Sequence, residues 1–147
     1  MKEYQRKQLL ERVNREGATV GAAIPERIEV QGETIDLQEF VFEIKRRDTI
    51  PAGERERVEE AKRNLRRERL ARLERIEDGE VSFEEGERLA ESVIGIDRAL
   101  EALQQLRPAD LEREAEASEA ADRKRWMKFL RQALGREEST GRTRGRS

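Results

Sequence analysis

The spacing of apolar residues between positions 89 and 103 constrains the fold of this chain more than any other feature. Steps of four and three residues alternate there, through Leu89, Val93, Ile96, Leu100 and Leu103. This alternation is typical of a helix that packs along a second helix in a coiled-coil seam. We therefore expect a helix over 83–106 with its apolar side against another long helix.

The second helix is expected directly before it, over 54–77, a stretch without glycine or proline and rich in Arg, Glu, Leu and Ala. Asp78 and Gly79 supply the turn, and Ser82 can cap the new helix with Glu85 three residues on. A connection this short makes the two helices an antiparallel hairpin.

The apolar positions of the 54–77 helix contain a break. Val58, Ala61 and Leu65 are followed, after a five-residue step, by Leu70, Leu73 and Ile76. Such a step either rotates the buried face or brings in a different neighbour.

The remaining segments predict shorter elements. Residues 1–16 form an amphipathic helix that ends at Gly17, and alternation around a Gln31-Gly32 turn indicates a β-hairpin over about 27–35. Because an isolated hairpin is marginal in water, it must rest on a helix. Asp36 can cap a following helix that ends near 45–47, whereas a strand through Phe40 would not explain that cap.

A last helix is expected over about 110–134, before Gly135. Residues 136–147 are polar and predict a disordered basic tail. The fold class is therefore mainly α, an antiparallel helical hairpin within a small helical bundle plus one short β-hairpin, in a single domain over 1–135.

A row of small residues lies beside the 89–103 seam, made of Ser92, Gly95, Ala99 and Ala102. One interpretation is that another helix approaches closely there. The other is that Gly95 is merely tolerated on an exposed face, at a cost of roughly 0.5 to 1 kcal/mol relative to alanine.

Composition narrows the function. The chain has no cysteine and no histidine, so it lacks thiolate and imidazole groups for metal binding or nucleophilic and acid–base catalysis. Phosphate-loop, dinucleotide and calcium-loop motifs are absent. We expect a non-enzymatic protein with no catalytic, cofactor-binding or metal-binding residues and no cofactor. No stretch approaches the ~20 apolar residues of a membrane span, so a cytoplasmic location is expected.

Charge is segregated along the chain although the net charge is only −2. Residues 62–75 carry seven basic and two acidic side chains, whereas 76–122 carry four and fifteen. Candidate contacts to a nucleic acid or another partner are Lys62, Arg63, Arg66, Arg67, Arg69 and Arg72, with Arg142, Arg144 and Arg146 in the tail. The alternative is that the acidic block neutralises these side chains within the fold.

Trp126 and Phe129 lie in a second basic region. On a helical projection Lys124, Arg125, Lys128 and Arg131 share the face opposite the apolar residues. The two rings either dock a partner or a membrane surface, or close the core as part of the last helix.

Three segments carry a resemblance to a known family. They are KEYQRKQLLERVNREGATVGAAIPE, IEVQGETIDLQEFVFEIKRRDTIPAGERERVEEAKRNLRRERL and DRKRWMKFLRQALGRE. The chain resembles an uncharacterised haloarchaeal protein family, which implies a cytoplasmic protein in high internal salt and brings no known activity. For that setting the net charge is mild, which favours a negatively charged partner.

Two hypotheses on function follow. The first is a non-enzymatic interaction or scaffold module that binds a protein or ribonucleoprotein partner. The alternative is direct RNA or DNA binding by the 62–75 helix and the basic tail.

Overall fold

The chain is mainly helical with one antiparallel β-hairpin in the computed structural model, which confirms the expected fold class. The structure describes residues 1–19, 21–47, 49–51, 53–107 and 120–144, without the side chains of 120–122 and 136–144. The elements in this part of the chain are α1 Glu3–Gly17, β1 Arg27–Val30, β2 Glu33–Asp36, α2 Leu37–Arg46, α3 Arg55–Asp78, α4 Phe83–Gln104 and α5 Ala120–Arg144.

Helices α3 and α4 pack along each other as the predicted hairpin. Arg69 pairs with Asp97 and Arg75 with Glu85, so positions rise along α3 as they fall along α4, and the helices are antiparallel. All five residues of the expected seam are buried. The predicted cap is also present, because the Ser82 hydroxyl accepts a hydrogen bond from the Glu85 amide at 3.1 Å. Coiled-coil geometry in the strict sense stays a prediction.

The break in the α3 pattern marks a change of neighbour, one of the two expected outcomes. Val58 and Leu65 belong to the main core, whereas Ile76 belongs to a second cluster with Leu9 and Val13 of α1. Leu70 lies at the change and is 57% exposed. Helix α1 therefore packs against the C-terminal part of α3 and along α4, where the Gly17 carbonyl accepts a hydrogen bond from Arg98.

The β-hairpin turns at Gln31 and Gly32, which both have positive φ, as in a type I′ turn. A side chain from α3 holds the turn, since Glu68 accepts a hydrogen bond from the Gln31 amide at 2.7 Å. Ile28, Val30 and Ile35 are buried in the main core, so the hairpin rests on helices as expected.

The predicted cap of α2 was wrong. Helix α2 does begin after Asp36, but this side chain makes no capping hydrogen bond. It interacts instead with the Gln132 amide nitrogen at 3.2 Å and with Arg27 at 3.1 Å. Tertiary partners on α5 and β1 therefore outcompete the local cap.

The row of small residues on α4 is a close-packing face. Gly95 is buried, and a Cβ added there would lie 2.5 Å from Leu37 Cδ2 and 3.1 Å from Pro25 Cδ. Ala99 and Ala102 are buried as well. The packing interpretation is therefore confirmed, and α4 contacts α1, α2 and α3 at the centre of the bundle.

Helix α5 closes the core against α3 and the hairpin. Its backbone breaks at Gly135, where φ is 85° and a Cβ would lie 2.6 Å from Gln31 Cβ. Two carbonyls before the break, those of Ala133 and Leu134, accept hydrogen bonds from the buried Asn64 amide of α3 at 3.1 and 2.9 Å. Asn64 thus ties α3 to the end of the packed part of α5.

The domain boundaries stay predictions. The expected start of the last helix at Asp110 lies outside the described residues. Helical backbone continues past Gly135 to Arg144, in the segment expected to be a disordered tail. The disorder of residues 136–147 in solution stays a prediction.

The Asn64 contacts lead to a first test. In Asn64→Ala the backbone carbonyls of Ala133 and Leu134 lose their hydrogen-bond donor. We therefore expect the free energy of unfolding to fall by about 1 to 3 kcal/mol. Urea denaturation followed by circular dichroism measures this change. Asn14, an exposed asparagine on α1, provides the control, since Asn14→Ala should stay within about 0.5 kcal/mol. Equal effects of the two substitutions would contradict a stabilising role of the Asn64 hydrogen bonds to α5.

Candidate functional site

The basic face predicted on α3 is largely engaged in ion pairs. Five of its seven cationic side chains, within residues 53–107, contact acidic partners: Lys62–Glu59 at 3.1 Å, Arg69–Asp97 at 2.6 Å, Arg72–Glu68 at 2.7 Å, Arg75–Glu85 at 3.6 Å, and Arg63–Glu60. Only Asp97 and Glu85 belong to the acidic block of α4. The other acids lie three or four residues away on α3 itself, so most of the neutralisation is local.

Arg66 and Arg67 differ from the other members of this face. Both are exposed, and neither forms an ion pair with a residue that the structure describes. The six candidate contacts on α3 therefore divide into four paired side chains and two neighbours without an ion pair in the described part of the chain. The tail arginines, Arg142, Arg144 and Arg146, lie outside the described side chains.

One cleft of about 360 Å³ lies between α1, α3 and α4 and contains the Arg69–Asp97 pair. Burial raises the pKa of Asp97, and the hydrogen bond and charge of Arg69 act in the opposite direction. Asn14, Glu101 and Gln104 also line this cleft. Asp97, the more buried of the carboxylates that line this cleft, is therefore paired with the guanidinium of Arg69.

A second cleft, of about 420 Å³, lies between β1, α3 and α4. Arg72 donates to Glu68 at 2.7 Å and to the Glu29 carbonyl at 2.9 Å, and Arg88 donates to Glu85 at 2.8 Å. Charged side chains of opposite sign therefore alternate along this cleft. In these clefts Asp97, Glu68 and Glu85 are each the partner of an arginine, so none of these three carboxylates is a free acid–base group.

A buried carboxylate organises the junction of α2 and α5. Glu43 is 2% exposed, and three arginines surround it: Arg125 Nε at 3.0 Å, Arg47 Nε at 3.4 Å and Arg46 Nη1 at 3.6 Å. We call these four residues the Glu43 cluster. One buried negative charge thus positions three guanidinium groups, of which Arg46 and Arg125 are 50% and 39% exposed.

Trp126 and Phe129 lie in the core rather than on the surface. They are 1% and 5% exposed, and the Phe129 and Phe40 ring centroids are 6.4 Å apart. Arg47 of the Glu43 cluster covers the Trp126 ring at 4.9 Å. Their burial agrees with the interpretation that the two rings close the core as part of the last helix. Partner docking by them stays a prediction and would require α5 to leave the core.

The outward face of α5 carries cations spaced by four and three residues. Lys124, Lys128 and Arg131 are exposed and form no ion pair with any described residue. Asp36 lies near this face: the pKa of its carboxyl is lowered by the hydrogen bond from Gln132, then by Arg27, and also by the charge of Lys128. Because Arg27 already pairs with Asp36, the cations of α5 keep their net positive charge.

The cations of α2 and α5 form one surface. Arg125 and Lys128 are three positions apart and so are neighbours on α5, while the Glu43 cluster joins Arg125 to Arg46 of α2. We define the α2–α5 surface as Phe42, Lys45 and Arg46 of α2 with Lys124, Arg125, Lys128 and Arg131 of α5. Glu39, one turn before Phe42 on α2, is an exposed acid beside this surface.

Two members of this region were missed by sequence reasoning. A helical projection of 37–46 places Leu37, Phe40, Val41 and Ile44 on one face, which leaves Phe42 outside it. That signal could have identified Phe42 as exposed. No local pattern, in contrast, distinguishes Glu43 from the other glutamates of the chain, because its burial depends on α5.

These features define a small helical protein with one β-hairpin and a cationic surface shared by two helices. The chain belongs to a family of unknown function, DUF5788, which matches residues 1–131. This match agrees with the resemblance to an uncharacterised family, while a haloarchaeal origin stays a prediction. No curated protein and no solved structure matches the chain.

Two features are absent from the described residues. None of their helices is both long and apolar enough to cross a membrane. No group of three or more acidic side chains among them could hold a metal ion. The cytoplasmic location stays a prediction.

Proposed function

We propose that this protein is a non-enzymatic interaction module that binds a polyanionic partner through the α2–α5 surface. The observation that carries the proposal is the contrast between two basic helices. Cations on α3 are mostly paired with acids, whereas Lys124, Lys128 and Arg131 are exposed without an ion pair to any described residue.

This contrast matters because of how polyanions bind. A cation that replaces counterions along a phosphate or carboxylate chain contributes to affinity in proportion to its net charge. A cation already paired with a neighbouring acid presents a dipole, and the acid repels the same partner. The α5 face therefore offers more attraction than the paired part of α3.

The non-enzymatic part of the proposal is supported by the chemistry of the clefts. The chain has neither histidine nor cysteine, and Asp97, Glu68 and Glu85 are each held by arginine. Groups arranged in this way neutralise each other instead of transferring protons. Binding is the activity that such side chains serve best.

A pair of charge-matched variants tests the proposal. In the first variant Lys124, Lys128 and Arg131 become alanine, and in the control three paired arginines of α3, Arg57, Arg63 and Arg75, become alanine. Each removes three exposed cations from one helix, so the change in net charge is the same. Binding of labelled heparin and of a labelled single-stranded RNA is measured by fluorescence anisotropy in ~0.1 M salt, where the screening length is about 10 Å.

We expect the α5 variant to bind about 10- to 100-fold more weakly and to lower the salt slope by up to about 2 on a single strand. The α3 control should lose much less. A larger loss in the control would place the site on α3, and a loss seen only on removal of 136–147 would place it on the tail. No binding by the unmodified protein would overturn the proposal.

A further inference from the structure

Phe42 is an exposed aromatic ring within a cluster of cations. It is 64% exposed on α2, and the guanidinium carbon of Arg46 lies 5.9 Å from its ring centroid. Lys45 and Arg46 are three and four residues on, so both are its neighbours on the helix surface. The ring thus lies at the α2 end of the α2–α5 surface.

Packing does not explain the position of this ring. The core side of α2 consists of Leu37, Phe40, Val41 and Ile44, and Phe42 lies outside it. Single exposed apolar residues are common and need no function by themselves. Tyr4 and Leu70 are exposed to a similar extent. Phe42 differs from Leu70 because it is aromatic, and from Tyr4 because it lies beside the Glu43 cluster.

The Glu43 cluster gives the cations around the ring a defined arrangement. Oε2 of Glu43 lies 3.0 Å from Arg125 and 3.6 Å from Arg46, and these two side chains are 39% and 50% exposed. Three arginines share this one carboxylate, so the Glu43 cluster keeps a net positive charge, unlike the one-to-one ion pairs of α3. A buried carboxylate that fixes two half-exposed arginine side chains also lowers the entropy that they lose when a ligand binds. The planar guanidinium also suits the geometry of a phosphate.

We propose that the α2–α5 surface binds a single-stranded nucleic acid, with Phe42 stacked on one base and Arg46 and Arg125 on the adjacent phosphates. Lys124, Lys128 and Arg131 then follow the backbone further along α5. This inference rests on the proposed function and specifies its partner. Stacking platforms beside a basic track are how proteins bind single strands without reading their sequence.

A single strand fits this arrangement better than the other polyanions. Bases of a duplex are stacked on both faces, so an exposed ring on a helix cannot cover them. An acidic polypeptide would use the cations and gain nothing from stacking on the ring. The prediction is therefore a preference for anions that carry unpaired bases.

The test uses the full chain and four probes of equal length: a single-stranded RNA, the same RNA annealed to its complement, an abasic strand with the same phosphates, and poly-glutamate. We expect the single strand to bind more tightly than the abasic strand. In Phe42→Ala that preference should disappear, with about 5- to 100-fold weaker binding of the single strand and an unchanged salt slope. Phe42→Trp should retain the preference.

Tyr4→Ala is the control, because it removes an exposed ring of similar exposure from α1 and should leave binding unchanged. If all probes bind and Phe42→Ala weakens none of them, the inference fails and the proposed function stands. Tighter binding of poly-glutamate than of the single strand would overturn the inference in favour of an acidic protein partner. If no probe binds, both proposals fail.

Discussion

Replacing Trp126 with alanine is expected to lower the free energy of unfolding by about 3 to 5 kcal/mol. The side chain is 1% exposed and is among the largest that are fully buried in the described residues. The substitution removes its apolar contacts and leaves a cavity between α5 and the rest of the core. It also removes the ring beneath the guanidinium of Arg47. Denaturation with guanidinium chloride, followed by circular dichroism, measures the loss.

The same measurement distinguishes the two interpretations of Trp126. A ring that served to dock a partner would contribute little to the stability of the isolated protein. Phe42→Ala is the matched control, since it also truncates an aromatic side chain to alanine but at a 64% exposed position. It should change the stability by no more than about 0.5 kcal/mol. Equal and small effects of both substitutions would contradict the placement of Trp126 in the core.

Ile96→Ala is expected to cost about 2 to 5 kcal/mol, because Ile96 is fully buried in the middle of the α3–α4 hairpin. The loss should appear as a shift of the midpoint in a denaturant titration at an unchanged slope. A loss of this size is a large share of the 5 to 15 kcal/mol typical of a folded domain.

Glu101→Ala provides the comparison on the same helix. Glu101 is exposed, and alanine is a good helix former, so the change should stay within about 0.5 kcal/mol. If Ile96→Ala and Glu101→Ala both had small effects, the α3–α4 seam would not be the centre of the fold.

The helical hairpin and the β-hairpin could be predicted because their signals are local. Apolar periodicity, the Ser82 cap and the Gln31-Gly32 turn act over a few residues, and the surrounding structure does not compete with them. The expected helices over 54–77 and 83–106 differ from Arg55–Asp78 and Phe83–Gln104 by two residues at most. The cap predicted at Asp36 was wrong because Gln132 and Arg27 provide stronger partners from elsewhere in the fold.

The candidate site was predictable only in part. A helical projection predicts the cationic face of α5, but no sequence pattern favours this face over the richer cluster of arginines on α3. That preference depends on which arginines have acidic partners. Several of those partners are three or four residues away and could have been found by counting, whereas Asp97 and Glu85 come from another helix.

The sequence by itself determined the elements, the composition that excludes thiol and imidazole chemistry, and the segregation of charge. Tertiary structure decided the burial of Glu43, the exposure of Phe42 and the hydrogen bonds of Asn64 to the end of α5. The physical reason is the range of the interactions. Helix and turn formation depend on neighbours along the chain, but the burial of a charge depends on a helix more than 80 residues away, where Arg125 meets Glu43.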